Sequence, residues 1–210
     1  MMSARHVWVM VIAASASTSI RAGVDSPAQG RESSRVDDRA LGIAFTPVGR
    51  VTKTGDATYS MAMVSPVPSP APDAVAEVSV SDRLFVDLPG SYGGRFYLDS
   101  AKPPVMLRSL LTADSLARGG NMYRREYWIV YAGMGMWEGV INCYTRAGGK
   151  FCIVSLIKEA PMGKPGERME EGSAGAEDIR ARFLSTLRDS TAPLIERFDS
   201  LLSSVQLTGQ

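Results

Sequence analysis

Three consecutive stretches in the second half of the chain constrain the fold more than any other feature. Residues 122–131, 136–145 and 150–158 are each rich in aromatic and β-branched side chains, and glycine-containing turns separate them. Stretches of this composition joined by short turns form antiparallel strands that are neighbours in chain order. The sequence therefore predicts an antiparallel meander over residues 122–158.

The C-terminal segment has the pattern of an amphipathic helix. Its apolar residues recur at helical spacing, as one stripe: Ile179, Phe183, Leu187, Leu194, Ile195, Phe198, Leu201, Leu202 and Val205. Pro193 interrupts the stripe, which predicts either one kinked helix or a helix pair in which Ser190 or Thr191 caps the second member. A helix or helix pair covering one face of the sheet gives an α+β fold.

Further elements are expected between the N-terminal half and the meander. Residues 84–88 and 95–98 have the composition of short strands. Residues 105–118 are predicted to be helical, because apolar residues recur there at helical spacing and Gly119-Gly120 follows as a stop signal. The residues that carry this pattern are Met106, Leu107, Leu110 and Leu111.

The N-terminus resembles an export signal. A basic residue, Arg5, precedes the apolar run Val7 to Ala14, and small residues follow. The run is too short for a bilayer span, which needs about 20 residues. We expect residues 1–22 to be a signal peptide, cleaved after Ala16 or Ala22, which predicts a periplasmic or secreted protein without a transmembrane segment in its mature form.

Composition divides the rest of the chain into three parts. Residues 23–64 are polar with scattered apolar pieces, and we expect them to be disordered or loosely structured. Residues 65–75 contain a proline at every second position over much of their length, which favours an extended linker. The α+β domain is expected over residues 76–210.

The single histidine, His6, lies inside the predicted signal peptide. A mature chain without histidine excludes catalytic triads and dyads that need an imidazole, as well as histidine-ligated metals. The near-equal numbers of basic and acidic residues, 23 and 22, argue against a nucleic-acid-binding protein. We expect no metal and no cofactor.

The motifs that could support catalysis fail on context. Gly133-Met-Gly135 lies between two predicted strands, whereas a dinucleotide-binding loop leads from a strand into a helix. Ser155 and Lys158 match S-x-x-K, but residues three apart on a strand point to opposite faces. No catalytic residue is therefore assigned. The alternative is a hydrolase or transferase using carboxylate, tyrosine or serine–lysine chemistry.

Cys143 and Cys152 lie on neighbouring strands of one predicted hairpin. An isolated cysteine pair in an exported protein is usually oxidised, so we expect a structural disulfide. Turn geometry matters here. A two-residue turn at Gly148-Gly149 would set Cys143 opposite Val154, whereas a turn one residue earlier would place the cysteines face to face.

Tyr123, Arg125, Tyr127 and Tyr131 form the strongest candidate binding cluster. Alternation along a strand places these four side chains on one face, and Met122, Arg124, Glu126, Trp128 and Val130 on the other. Arginine beside tyrosines could bind an anionic or planar ligand or anchor a protein partner. The alternative is that this aromatic face packs beneath the C-terminal helix.

The meander, the amphipathic helix and the closing segment Phe198-Asp-Ser-Leu-Leu-Ser-Ser-Val205 together resemble the PsbP/Mog1-like family of exported or accessory α/β sandwich domains. The resemblance is one of pattern and transfers no functional residue. It implies a sandwich fold and an accessory role. We therefore expect a non-enzymatic exported domain that binds a partner protein or a small ligand.

Overall fold

The computed structural model of the protein describes residues 34–64, 74–88, 94–98, 108–133, 136–158 and 175–208, which belong to one compact unit. The predicted signal peptide, most of the proline-rich linker and residues 159–174 lie outside the described residues. Strands β1 to β11 are Val36–Asp38, Ile43–Phe45, Val51–Lys53, Thr58–Met63, Ala74–Ser81, Phe85–Leu88, Gly94–Tyr97, Arg108–Arg118, Asn121–Gly133, Met136–Ala147 and Lys150–Lys158. Helix α1, Ala176–Ser204, and strand β12, Gln206–Leu207, complete the described chain.

The predicted meander is confirmed as β9, β10 and β11, which pair antiparallel. They lie within a seven-stranded sheet of the described residues, in the order β3-β4-β5-β11-β10-β9-β8. Gly148 and Gly149 form the two-residue turn between β10 and β11, with φ of 56° and 84°. Glycine adopts these positive values without steric cost, which is why this turn sets the register.

The C-terminal amphipathic segment forms one continuous helix, so the α+β expectation holds but a helix pair is not observed. The predicted apolar stripe is buried against the sheet through Phe183, Leu187, Leu194, Phe198, Leu201 and Leu202. Pro193 lies inside the helix. In the turn before it, Ser190 Oγ and Thr191 Oγ1 donate to the Leu187 carbonyl, at 3.0 and 2.7 Å. These hydroxyls bond within the helix instead of capping a second one.

The helix predicted over residues 105–118 is wrong for the part that is described, because Arg108–Arg118 is strand β8. Gly119 and Gly120, expected as a helix stop, form the two-residue turn into β9, with φ of 55° and 81°. A register shift between Leu110 and Thr112 marks a β-bulge. Leu111 is the unpaired residue of the bulge and packs into the main core, whereas Leu110 is exposed, so the two leucines do not share the apolar face that a helix would give them.

Residues 36–63, which the sequence assigns to a loosely structured segment, contain strands β1 to β4. Strands β3 and β4 extend the large sheet at its β5 side, and β1 and β2 form a small sheet with β12. Phe45 and Met61 are fully buried in the main core. The folded part therefore begins well before the expected boundary at residue 76. Ala74 and Val75, expected in the linker, begin β5.

The predicted disulfide is not present, and both cysteines are free and buried. The glycine turn pairs Cys143 with Val154 and Cys152 with Thr145, so the two cysteines are diagonal neighbours on one face. Diagonal positions are about 7–8 Å apart, whereas a disulfide needs Cα atoms within about 4.4–6.8 Å. The register that the favoured turn imposes is the reason the bond is not formed.

The two faces of the large sheet are covered differently. Helix α1 covers one face and encloses the main core. The β6–β7 hairpin packs on part of the other face, where Val86 joins Trp128, Val130, Val140 and Ile157 in a second apolar cluster. The hairpin is anchored by Asn142, whose Nδ2 donates to the Phe85 carbonyl at 3.1 Å.

Candidate binding surface

The candidate tyrosines of β9 lie on the sheet face that α1 covers. Tyr123 is 1% exposed, and its hydroxyl donates to the Leu202 carbonyl at the end of the helix, at 3.1 Å. Tyr127 is also buried. Burial raises the pKa of both phenols. Tyr131 lies near the end of β9, and its side chain is not among those described.

Arg125 is held within the same face by a carboxylate. Its Nε and Nη2 donate to Asp114 Oδ1 and Oδ2, at 2.8 and 2.6 Å. The bonds to Arg125 hold the pKa of Asp114 below its usual value and raise that of Arg125. The guanidinium groups of Arg125 and Arg188 also lie 5.4 and 5.3 Å from the centre of the Tyr127 ring. The structure thus brings Tyr123, Arg125 and Tyr127 together in helix–sheet packing.

The residues predicted for the opposite face of β9 are found there, and part of that face is uncovered by the described chain. We call it the open face, and it consists of Met122, Arg124, Tyr144, Arg146 and Phe151. Met122 is 62% exposed, and Arg124 and Arg146 are also exposed. Arg124 is opposite Tyr144, and Arg146 is opposite Phe151. The open face therefore spans three neighbouring strands.

A buried carboxylate lies beneath the open face and orients its polar groups. Glu126 accepts a hydrogen bond from Trp128 Nε1 at 3.0 Å and another from the Tyr144 hydroxyl at 3.1 Å. Arg124 Nε lies 3.7 Å from Glu126 Oε1. Burial and the neighbouring Glu126 raise the pKa of Tyr144 to about 12, so the phenol keeps its proton and donates to the carboxylate.

The aromatic rings of the open face contact each other and an arginine. Tyr144 and Phe151 meet edge to face, with ring centres 6.1 Å apart and planes at 79°. The Arg146 guanidinium lies 5.5 Å from the centre of the Phe151 ring. Both rings are half-buried, and their contacts with each other and with Arg146 restrict their orientation. The surface is preorganised, which lowers the entropic cost of binding.

Sequence reasoning missed Tyr144, Arg146 and Phe151 as members of a site. Each lies on a different strand from the cluster in β9, and only the cross-strand register brings them beside Arg124. The usable signal was the Gly148-Gly149 turn. That turn places Phe151 opposite Arg146, but the separate register of β9 and β10 is also needed to place Tyr144 opposite Arg124.

The serine and the aspartate that the sequence offers for catalysis are both hydrogen-bonded to neighbouring side chains within the fold. Ser155 is 1% exposed and donates to Asn142 Oδ1 at 2.8 Å, and Lys158 lies three positions along the strand, on the other face. Near the small sheet, Asp38 Oδ2 accepts from Lys53 Nζ at 2.8 Å and from the Tyr59 hydroxyl at 2.6 Å. Burial and the bond to Asp38 raise the pKa of Tyr59. A tyrosine that acts as a base needs a lowered pKa, so this shift does not activate Tyr59 for that role.

The described part of the chain offers neither a metal-site cluster nor a helix that could span a membrane. It contains no cluster of three or more histidine, cysteine, aspartate or glutamate residues with the geometry of a metal site. Its helix lacks the long apolar stretch that a bilayer span requires.

No protein-family model matches the chain, and no curated protein matches it. Among solved structures, a crystal structure from Bacteroides thetaiotaomicron at 1.50 Å resolution aligns over 80% of this chain with 8% identity and a TM-score of 0.35. The chain spans 46% of that protein's length. The solution structure of cyanobacterial PsbP (CyanoP) from Synechocystis sp. PCC 6803 aligns over 87% of this chain and 97% of its own, with 15% identity and a TM-score of 0.34. A PsbP is thus among the structures that this chain resembles, at a similarity too low to transfer any function.

Proposed function

We propose that this protein is an exported, non-enzymatic accessory domain that binds a protein partner through the open face. The observation that carries the proposal is the composition and exposure of that face. Tyrosine, phenylalanine, methionine and arginine are the residue types enriched at protein interfaces and their hot spots. Here they lie on one face of three neighbouring strands, with Met122, Arg124 and Arg146 exposed and the two rings half-buried.

Charge indicates the kind of partner. The open face presents two exposed arginines, Arg124 and Arg146, and the carboxylate beneath them, Glu126, is buried and bonded to Trp128 and Tyr144. Glu126 also lies 3.7 Å from Arg124 Nε and offsets part of its charge, so the two arginines and the carboxylate together leave one net positive charge, contributed at the surface mainly by Arg146. A segment of a partner protein that carries acidic side chains beside an apolar or aromatic residue complements this surface.

The non-enzymatic part of the proposal is supported by the state of the polar groups. The serine of the S-x-x-K match is buried and bonded to an amide, and the pKa of Tyr59 is raised. Export is supported by the pattern of residues 1–22. Intact mass of the exported protein tests it, since cleavage after Ala16 or Ala22 removes a defined mass and retention of Met1 contradicts export.

Site-specific cross-linking in the producing organism tests the partner. A photoreactive amino acid at position 122, in the open face, should capture a protein that the same group at position 182, on the exposed side of α1, does not capture. The captured protein is then purified and titrated with the unmodified chain and with the double variant Arg124→Gln/Arg146→Gln. We expect the variant to bind at least about tenfold more weakly.

A matched control has the same loss of charge elsewhere. Arg50→Gln/Arg182→Gln removes two exposed arginines outside the open face and should leave the affinity unchanged. Equal affinities for both double variants, or identical capture from positions 122 and 182, would contradict the proposal.

A further inference from the structure

Strand β8 forms one edge of the seven-stranded sheet. Among the described residues, it pairs with β9 on one side and with no strand on the other. Its regular stretch, residues 112–118, runs from the bulge at Leu111 to the turn at Gly119-Gly120. An edge strand presents a row of backbone N–H and C=O groups with which a further strand can pair. This edge is therefore a candidate surface for association.

The turn into β9 determines which backbone groups of β8 point outward. In a two-residue hairpin, the residues that flank the turn, here Arg118 and Asn121, exchange hydrogen bonds, and bonded and non-bonded pairs alternate from there along the strands. Ala113, Ser115 and Ala117 lie at the non-bonded positions, so their N–H and C=O groups face away from β9. In agreement, the Ala117 carbonyl accepts a bond of 3.0 Å from Arg118 Nη1. A carbonyl oxygen has two lone pairs and can accept a second bond.

The side chains at the outward positions leave the edge accessible. They lie on the side of the sheet that carries the open face, because Ser115 is paired with Arg124 and Ala117 with Met122. Ser115 and Ala117 are exposed, and Ala113 is half-buried. Natural edge strands are commonly protected by a lysine, a proline or a bulge. These three positions carry only alanine and serine, and the bulge lies before them.

The charges of the regular stretch make it complementary to itself in the antiparallel direction. Two copies that pair with Ser115 opposite Ser115 match the whole stretch. In this register Asp114 lies opposite Leu116 of the other copy and diagonal to its Arg118, so opposite charges approach each other on both sides of the axis. A register centred on Asp114 would instead place two aspartates opposite each other. The side chains of Asp114 and Arg118 are 43% and 37% exposed, which leaves surface on each for this contact.

We propose that two copies of this protein associate through β8, as an antiparallel strand pair with a two-fold axis at Ser115. The pairing adds about six backbone hydrogen bonds and joins the two large sheets into one. The axis is perpendicular to the sheet, so the dimer presents both of its open faces on the same side. One short strand from each copy makes a small interface, and we therefore expect a Kd of about 10–100 μM.

Sedimentation velocity tests the association. The full chain, studied from about 1 μM to about 500 μM, should show a concentration-dependent equilibrium of monomer and dimer. Ser115→Lys should raise the Kd at least about tenfold, because two like charges then lie opposite each other on the axis. Ser200→Lys makes the same change of charge at an exposed position of α1 and should leave the Kd unchanged.

Cysteine cross-linking tests the register. Ser115→Cys places two thiols opposite each other, with Cα atoms about 5.5 Å apart, a separation that a disulfide can bridge. In Ala117→Cys the two thiols are about 13 Å apart along the paired strands, which is too far. Mild oxidation should therefore give a covalent dimer from Ser115→Cys and little from Ala117→Cys. The buried Cys143 and Cys152 are common to both variants and do not affect the comparison.

The proposal is overturned if the unmodified chain sediments as a monomer over the whole concentration range. Equal Kd values for Ser115→Lys and Ser200→Lys, or equal cross-linking of the two cysteine variants, also overturn it. The cysteine variants keep the test decisive should Ser115→Lys fail to fold, because cysteine is close to serine in size. The open-face variant Arg124→Gln/Arg146→Gln should dimerise as the unmodified protein does, whatever its effect on a protein partner.

Discussion

Arg125 and Asp114 lie opposite each other on β9 and β8 and form a two-pronged ion pair, with N–O distances of 2.8 and 2.6 Å. The pair connects the outermost strand of the large sheet to its neighbour beneath α1. Because Asp114 has a side chain 43% exposed and Arg125 one 22% exposed, solvent screens part of the attraction. The ion pair therefore contributes only modestly to the free energy of unfolding, and this contribution depends on its two-pronged geometry.

A double-mutant cycle measures this ion pair. We expect Asp114→Ala and Arg125→Ala, alone and together, to give a coupling free energy of about 1 kcal/mol in urea unfolding. A coupling near zero would mean that the two-pronged geometry does not persist in solution. Arg118→Ala with Asp199→Ala, a pair joined by one bond of 2.8 Å, is the comparison and should couple more weakly.

The stability of the protein should depend on pH through Asp38. Bonds from Lys53, Tyr59 and the Leu41 amide lower the pKa of Asp38 from 3.8 to about 2. A carboxylate with a lowered folded-state pKa stabilises the fold fully above its unfolded pKa, and this contribution disappears as the pH falls through the folded one. The difference in unfolding free energy between the unmodified protein and Asp38→Asn should thus be constant above pH 5 or so and shrink toward pH 2. A difference independent of pH would show that the cluster does not form.

Gly119 and Gly120 provide a matched test of backbone packing. Both have positive φ, but a Cβ at Gly119 would lie 2.1 Å from the Ser203 carbonyl oxygen, whereas one at Gly120 would meet nothing within 4 Å. Gly120→Ala should cost about 1–2 kcal/mol from backbone strain alone. Gly119→Ala should cost at least about 2 kcal/mol more, because the hairpin must move away from the end of α1. Equal losses, measured by urea unfolding, would contradict the close approach.

The hydroxyl of Tyr123 should stabilise the contact between β9 and the end of α1. Tyr123→Phe removes the donor to the Leu202 carbonyl without changing the ring, and we expect a loss of about 1 kcal/mol. Tyr97→Phe, on the half-exposed β6–β7 hairpin, is the control and should change stability by less than about 0.5 kcal/mol. Hydrogen exchange at the last turn of the helix should accelerate only in Tyr123→Phe.

Both cysteines should be present as unreactive thiols in the folded protein. Burial raises the pKa of Cys143 and of Cys152 to about 12, so the reactive thiolate is scarce at neutral pH. A thiol reagent should therefore modify both residues in denaturant and neither under native conditions. A mass two hydrogens lower in the non-reduced protein would contradict the observed register.

The elements that could be predicted from the sequence are those whose residue pattern lies within one continuous segment. The strands of the meander and the stripe of α1 are long, so their periodicity is visible over many residues. Strand β8 was misread because a bulge at Leu111 hides its alternation. Strands β1 to β3 have three residues each, too few for any period to show, and only their partners elsewhere in the chain define them.

The candidate site was predicted only as far as one strand allows. Alternation along β9 correctly separated Arg125 from Arg124, but it did not indicate which of the two faces the helix covers. That depends on packing between segments far apart in sequence. Tyr144, Arg146 and Phe151 enter the open face through two registers, that of β9 with β10 and that of β10 with β11, and only the second is determined by a simple glycine turn.

The small sheet joins residues near the two ends of the described chain. Strand β2 pairs on one side with β1 and on the other with β12, which begins two residues after the end of α1. Since β12 follows α1 in the chain, that side of β2 can pair only after the whole helix has been synthesised. Closure of the small sheet is therefore a late step that depends on a contact between distant parts of the chain, and removal of Gln206 and the residues after it should leave residues 43–45 without one of their two neighbouring strands.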